Sequence, residues 1–418
     1  MKKLGSIFFF TFSLSLAYAQ NFNSNFAWRW SVLNYTCPET VINYPAEVDN
    51  SNGPKCIETD GRGNVYLLGI MDVPLGYDYT LGANTTNATT YSQFNPFVSN
   101  ARTSLYFMKI DKNGELAWSK DIVTAGIWEG SSLSLYIDTF SSIAHILVPH
   151  TGFEIIVNED SIQTKGSPTL MSFNLNGKLV DTTWGISNII PGDAGSFLYT
   201  KPGPWPQQFT VVKRTMTSES ELKVFNYTVP NLAYNVYLNN YWSINFPSNS
   251  IDIYNTNLEL QKRVQISGET PSLLGIDYNV AFSPNGSFAI TYYNENDYAN
   301  WMLYFDSNFD CKWYRKAGKI AAFDSKGNPW SYYPRVGPSA GLVDGKNIFP
   351  YNAESCAAIK LNAETGEFTG DFIAPTYTSH SNGSNNFSID NKDRFYMAGT
   401  FWYEIEFGKQ ELSHTCEN

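Results

Sequence analysis

The sequence is poor in histidine, in cysteine, in charge and in any stretch with helical periodicity. Its 418 residues include only four histidines, His145, His150, His380 and His414. Only His145 and His150 are close in sequence, and no carboxylate stands at metal-ligand spacing with them. Five cysteines are present, Cys37, Cys56, Cys311, Cys356 and Cys416. No CxxC occurs, so zinc and thiol-redox motifs have no support, and an odd count leaves at least one thiol unpaired within the chain. No Gly-x-Ser-x-Gly elbow points to a serine hydrolase. Basic residues are outnumbered, 28 Lys and Arg against 39 Asp and Glu, a formal charge of −11. That balance argues against nucleic acid and against anionic membrane surfaces, both of which need basic patches. Charged residues make up 16% of the chain and aromatics another 16%. Together with abundant Thr, Asn and Ser, this mixture favours strands and turns over helices.

Long apolar runs are also scarce. The one at the start follows Lys2 and Lys3, extends over residues 4–16 and ends before Ala17-Tyr18-Ala19. A positive start, a short apolar stretch and a small-x-small site describe a secretory signal peptide, residues 1–19, cleaved before Gln20. The run is too short for a stable membrane-spanning helix, and no transmembrane segment is expected in the mature chain. Export would permit disulfides, and Cys37 with Cys56, closing a short loop, is the pair the spacing suggests.

What the chain does have is internal repetition. Asp60-Gly61-Arg62-Gly63-Asn64-Val65-Tyr66-Leu67-Leu68-Gly69 and Asp390-Asn391-Lys392-Asp393-Arg394-Phe395-Tyr396-Met397-Ala398-Gly399 share one plan, a polar turn and then an aromatic-rich strand. Further copies begin at Asp138, Ser283 and Asp344, with weaker ones at residues 192–198 and 231–238. Each predicts a strand, a tight turn and a strand. A second pattern follows each first one. Its clearest example is Lys109-Ile110-Asp111-Lys112-Asn113-Gly114-Glu115-Leu116-Ala117-Trp118, matched by the stretch from Asp306 to Trp313 and by turns at Asn174, Asn255, Asn362 and residues 211–224. Two hairpins make a four-stranded blade, so the reading is an all-β chain, a seven-bladed β-propeller over residues 20–418 in a single domain. The last blade is incomplete. Ala27-Trp28-Arg29-Trp30-Ser31 resembles the outer strand around Trp118 and is expected to close the ring. A third strand for that blade would lie beyond Asn418, so the reading includes truncation at the C-terminus or a gap. A β-sandwich or tandem β-domains would show the same turn spacing. The alternation of two hairpin types and the matching ends favour the propeller.

The pattern Asp-x-x-Gly-Asn-Val-Tyr-x-x-Gly followed by Lys-Ile-Asp-x-x-Gly-x-x-x-Trp resembles the SBBP-type β-propeller repeats of proteins secreted by Bacteroidetes. Phe407-Gly408-Lys409-Gln410-Glu411-Leu412 resembles that family's link between hairpins. The resemblance is clear over residues 56–120 and 387–412, partial over 281–313 and faint between. It implies a structural repeat and carries no catalytic residues.

Candidate chemistry is thin. Asp60, Asp111, Asp138, Asp306, Asp344 and Asp390 head turns, where an Asp accepts hydrogen bonds from backbone N–H groups just downstream. Asp49 and Asp60 have the spacing of a calcium loop, but the terminal Glu and flanking helices are missing, and the segment reads as an Asn/Ser-rich turn. His145 reads as a satisfied core residue. Glu58, Glu404 and Glu406 are the carboxylates a glycosidase at the central channel could use. Residues 77–100, 199–208 and 292–301 are expected to be surface loops, with aromatics beside Asn and Asp suited to stacking on sugars. Asn-x-Ser/Thr triplets start at Asn34, Asn84, Asn87, Asn226, Asn285, Asn382 and Asn386, glycan acceptors only in a eukaryotic secretory path. No residue is assigned a catalytic, cofactor or metal role. The functional reading is a secreted or cell-surface, non-enzymatic binding or scaffold protein for a glycan or protein ligand. The alternatives are a secreted polysaccharide hydrolase and the front part of a larger adhesin.

Overall fold

A computed structural model describes residues 35–37, 53–71, 78–82, 85–92, 103–124, 133–150, 154–158, 160–165, 168–186, 188–193, 195–202, 208–215, 217–226, 232–245, 248, 250–266, 278–294, 299–336, 355–373, 377–378, 386–398, 404–407 and 410–413. Among them every regular element is a strand, and no helix is long and apolar enough to cross a membrane.

The strands form antiparallel sheets in chain order. The first sheet holds Gly53–Thr59, Val65–Met71, Thr103–Ile110 and Leu116–Thr124. The second holds Ser134–Asp138, Ile143–Val148, Thr169–Asn174 and Leu179–Trp184, and the third Ile189–Pro191, Phe197–Pro202, Gln208–Arg214 and Glu219–Asn226. The fourth comprises Leu232–Asn235, Asn240–Asn245, Ser250–Tyr254 and Leu260–Gln265. The fifth comprises Tyr278–Phe282, Phe288–Asn294, Ala299–Phe305 and Cys311–Lys316, and the sixth Ile320–Phe323, Pro329–Val336, Ser355–Leu361 and Phe368–Ile373. Asn386–Ile389 pairs with Phe395–Ala398 as a seventh first hairpin. Nearby in sequence, Glu404–Phe407 pairs with both Tyr377–Thr378 and Gln410–Ser413.

The first strand of each sheet touches the first strand of the next, and Asn386–Ile389 in turn touches Gly53–Thr59, so these contacts run in a circuit. The apolar core is divided in the same way. Tyr66, Phe107, Ile146 and Phe173 fill the space between the first and second sheets. Trp242, Ile251, Phe288 and Phe305 fill that between the fourth and fifth. Ile57, Val65 and Met108 of the first sheet pack with Tyr396 and Ala398 of the seventh hairpin. Burial is greatest in the second and third strands, while first strands such as Tyr278–Phe282 and Ile320–Phe323 are half-buried and fourth strands face outward. Ile143–Val148, a second strand, is buried at every position, whereas the fourth strand Leu260–Gln265 is exposed except at Val264. A strand covered on both faces by neighbouring sheets has no need of polar alternation; an outer strand does. Each fully buried Leu, Ile or Phe contributes about 1.5–3 kcal/mol. Trp242 shows how one sheet is keyed to the next, with its ring edge-on to Phe282 and Phe288 at 4.9 Å each and stacked on Phe309 at 5.2 Å.

Several expectations need correction. Residues 77–100 are not simply a loop: Asp78–Leu81 and Thr89–Ser92 form a hairpin that also pairs with Tyr35–Cys37. Thr86 anchors it, donating from its N–H and Oγ1 to Glu115 Oε2 at 2.8 and 2.5 Å. The first sheet is extended beyond four strands, because Glu154–Val157, from the connection inside the second sheet, pairs with Leu116–Thr124 and carries Asp160–Gln163 with it. The first hairpin of the sixth sheet turns at Asp324-Ser325-Lys326-Gly327-Asn328; Asp344 lies outside the described residues. Cys56 is a free thiol that donates to the Leu133 carbonyl at 3.3 Å, so the expected pairing with Cys37 is not made. The leader at 1–19 and the closing strand at 27–31 also lie outside the described residues.

Candidate functional site

The turn acids build a scaffold before they build anything else. Asp60 Oδ1 accepts from the N–H groups of Arg62 and Asn64 at 2.9 and 3.2 Å. Asp324 does the same with Lys326 and Asn328 at 3.0 and 2.9 Å, and Asp390 with Lys392 and Arg394 at 2.9 and 3.1 Å. Asp138 accepts from Phe140 and Ser141. In the second hairpins Asp111, Asn174, Asn255 and Asp306 repeat the arrangement two and four residues on. Burial works to raise the Asp390 carboxyl, but the Arg394 guanidinium and the backbone N–H groups of Arg394 and Lys392 outweigh it and hold it below the usual range. A carboxylate satisfied this way is a structural acceptor.

These turns meet one another. Ser325 donates from its N–H and Oγ to Asp393 at 2.5 and 2.6 Å, joining the sixth and seventh turns. A Cβ on Gly63 would fall within 2.3 Å of Arg394 Nη1, and one on Gly327 within 2.5 Å of Asn285 Nδ2, so the seventh and first turns, and the fifth and sixth, are in direct contact. Phe140 leans over the third turn, where a Cβ on Gly195 would come within 2.7 Å of its Cδ1. The first-hairpin turns therefore meet in two runs along the circuit of first strands, the fifth through the first and the second with the third.

The second hairpins are joined sheet to sheet by a recurrent bond. Trp118 Nε1 donates to the Leu175 carbonyl in the second sheet at 3.0 Å, and Trp313 Nε1 to the Ala363 carbonyl in the sixth at 2.9 Å. Under each indole runs a glycine at positive φ, Gly177 (φ 80°) and Gly366 (φ 72°). A Cβ there would sit 2.8 Å from Trp118 Cδ2 and 2.6 Å from Trp313 Cδ2. This gives the repeated Gly and Trp of the sequence their physical reason: the glycine admits the indole of the preceding sheet. Other sheets fill the place with charge. Arg214 Nη2 meets Asp181 at 2.5 Å, Lys223 Nζ donates to the Leu258 carbonyl at 3.2 Å, and Lys262 lies 5.4 Å over the Phe309 ring.

The remaining candidates separate. Glu58 is on a first strand and has solvent-accessible surface, yet protein surrounds it closely. That desolvation pushes its carboxyl up to about 7, against a lowering hydrogen bond from the Thr59 backbone. Both observations fit a side chain reached by water inside a concavity. Glu404 and Glu406 are on a described strand, but their side chains, like Asp49, His380 and His414, are outside the described set. His145 is buried with Nδ1 2.9 Å from Ser172 Oγ, stacked on Tyr136, and burial drops it to about 4. His150 is buried with Nε2 2.9 Å from Thr169 Oγ1. Among the described residues no group of three or more His, Cys, Asp or Glu is placed to hold a metal ion. Of the expected aromatic surfaces, Trp301 lies 5.8 Å from the partly exposed Tyr314 ring, with Lys316 Nζ 5.9 Å above the indole. Neither the meeting of the turns nor the Gly–indole contacts follows from turn spacing along the sequence. The recurring Gly and Trp were the available signal for the second.

No protein family and no curated protein matches the chain. Among solved structures it is similar to the WD40 domain of SCAP from fission yeast, at 11% identity and a TM-score of 0.43, covering 90% of this chain and 98% of that one. It is similar to YCF48 bound to D1 peptide, at 8% identity and 0.43, covering 91% and 94%. It is also similar to a protein of unknown function from Bacteroides caccae, at 12% identity and 0.33, covering 62% and 97%. WD40 domains are propellers, and this chain is all-β and propeller-like in its succession of antiparallel sheets. At such identities and scores, nothing about function is carried over.

Proposed function

We propose that this chain is a seven-bladed β-propeller of the SBBP-like repeat type, exported behind its leader, that works outside the cell as a non-enzymatic binding or scaffold protein for a protein or glycan ligand. The seven-blade reading is supported by the circuit of first-strand contacts and by the core lying between successive sheets, the seventh hairpin against the first sheet included. Closure is assigned to residues 27–31, outside the described set, on the match between Trp28 and Trp118. Gly114, in the first sheet's second turn, is buried at φ 91°, as Gly177 and Gly366 are at positive φ beneath their indoles.

The observation that carries the non-enzymatic reading is the use of the turn acids. Asp60, Asp138, Asp324 and Asp390 are buried and hold their own turns together. Binding is tested by screening the purified mature chain on a glycan array and against immobilised extracellular proteins. The rival hydrolase rests on Glu58. Incubation with soluble polysaccharides, wild type beside Glu58→Gln, is expected to release no reducing ends. Cleavage by the wild type that the variant lacks would replace the binding reading with the hydrolase.

A further inference from the structure

The face made by the first-hairpin turns is chemically divided. The sixth, seventh and first turns are consecutive in the circuit, and their tips carry Lys326, Lys392 and Arg62, all exposed. Among the described residues none of the three is in an ion pair, whereas Lys201, Lys213, Arg214, Arg263, Lys312 and Arg394 are examples of cations that are. Of the acids in the same turns, Asp324, Asp390 and Asp60 are buried and accept from the turn N–H groups, and half-buried Asp393 is engaged by the N–H and hydroxyl of Ser325. This arc therefore presents positive charge outward on a chain whose formal charge is −11.

The opposite arc is apolar. The second and fourth turns end in Phe140, exposed by 76%, and in Val236, Tyr237 and Leu238, exposed by 64%, 52% and 56%. The third turn between them is low and glycine-bearing. Gly195 lies under Phe140, and Gly192 lies against Tyr241 of the fourth sheet. Scattered exposed apolar residues need no explanation, but four large ones at the tips of two turns flanking a third are a concentration of exposed apolar surface, and such concentrations mark interaction surfaces.

We propose that this face docks an acidic polypeptide segment bearing apolar side chains, its carboxylates on Lys326, Lys392 and Arg62 and its apolar groups on Phe140 and residues 236–238. The proposal rests on the binding reading above and names the partner's chemistry. Charge complementarity selects an anionic partner. The aliphatic tips Val236 and Leu238 select a polypeptide over an anionic polysaccharide, because a uronic acid chain has no aliphatic side chains to bury there. The polar heads of the apolar turns, Asp138 and Asn235, are already engaged with their own backbones and are not placed to receive sugar hydroxyls.

The test uses the full mature chain and fluorescence anisotropy. The probes are a fluorescein-labelled peptide of alternating aspartate with leucine or phenylalanine, the same peptide with lysine for aspartate, and labelled polygalacturonate. The acidic peptide is expected to bind, more weakly as salt rises, and the lysine peptide not to bind. The triple variant Arg62→Glu, Lys326→Glu, Lys392→Glu should weaken it by about tenfold or more. Phe140→Ser with Leu238→Ser should weaken it by about tenfold. All these side chains are exposed, and unchanged thermal midpoints would show that the variants fold. Equal binding of the lysine peptide, or no effect of the charge reversals, overturns the proposal. Polygalacturonate binding that depends on the three cations but not on Phe140 overturns it in favour of an anionic glycan. A change in sedimentation of the chain alone would make a second copy the occupant and overturn it likewise. If none of the probes binds while a ligand from the array still does, this surface assignment falls and the binding reading stands.

Discussion

Gly177 has no side chain, and the indole of Trp118 stands where one would go. In Gly177→Ala the new methyl meets two costs. The residue sits at φ 80°, where an alanine pays about 1–2 kcal/mol. The Cβ would also lie 2.8 Å from Trp118 Cδ2 and 3.0 Å from Cγ. The indole has little room to yield, because Phe107 packs edge-on to it at 5.0 Å and Tyr66 at 6.1 Å, and its Nε1 is bonded to Leu175. Overpacking of this kind costs about 1–3 kcal/mol, so the total is about 2–5 kcal/mol. Gly185 supplies the control. Its φ is 69°, and a Cβ there meets nothing within 4 Å, so Gly185→Ala should cost only the backbone part, about 1–2 kcal/mol. Urea unfolding followed by tryptophan fluorescence compares the two. Trp118→Ala with Gly177→Ala should then be better tolerated than the sum of the single changes, since the clash partner is gone. Equal losses for the two glycine variants, or strict additivity in the double variant, would refute the claim that this glycine exists to admit the indole.

Two further outcomes follow. Burial raises Glu58 to about 7 from an ordinary 4.5, so between those values the folded chain binds more protons than the unfolded one, and stability falls as pH rises through that window. Water reaches the side chain, so the slope should be shallow; Glu58→Gln should remove it, and urea midpoints with identical pH courses in the two proteins would contradict the assignment. If residues 27–31 close the ring, Trp28→Ala should lower the urea midpoint about as much as Trp118→Ala does, each losing an indole hydrogen bond and its packing, about 3–5 kcal/mol; a Trp28→Ala variant as stable as the wild type would remove the N-terminal strand from that role.

Much of the local architecture was legible from residue order. An Asx head followed by a Gly, Asn or Ser is read by the backbone within four residues, so turns at Asp60, Asp111, Asp138, Asn174, Asn255, Asp306 and Asp390 could be placed from spacing alone, and each accepts the N–H groups that the spacing implies. The same chemistry misled at the sixth sheet. Asp344-Gly345 and Asp324-Ser325-Lys326-Gly327-Asn328 both satisfy a turn, and the pairing of Ile320–Phe323 with Pro329–Val336 is what puts Asp324 at the head of that hairpin. Residues 77–100 looked like a loop because Thr, Asn and Ser are at home in both loops and edge strands; pairing with Tyr35–Cys37 and the Thr86 bonds to Glu115 make it a hairpin. The candidate face was not legible, since its residues come from turns spread over most of the chain.

The order of amino acids by itself determined where the chain turns, which residues hold those turns, and that the product is strands rather than helices, because these depend on hydrogen bonds and side-chain alternation within a few positions. Only the tertiary structure decided which sheets stand against which, why Gly177 and Gly366 must lack side chains, and that the turns carrying Arg62, Lys326 and Lys392 meet one another. Those relations join residues tens to hundreds of positions apart, and they arise from packing one sheet's apolar face against the next.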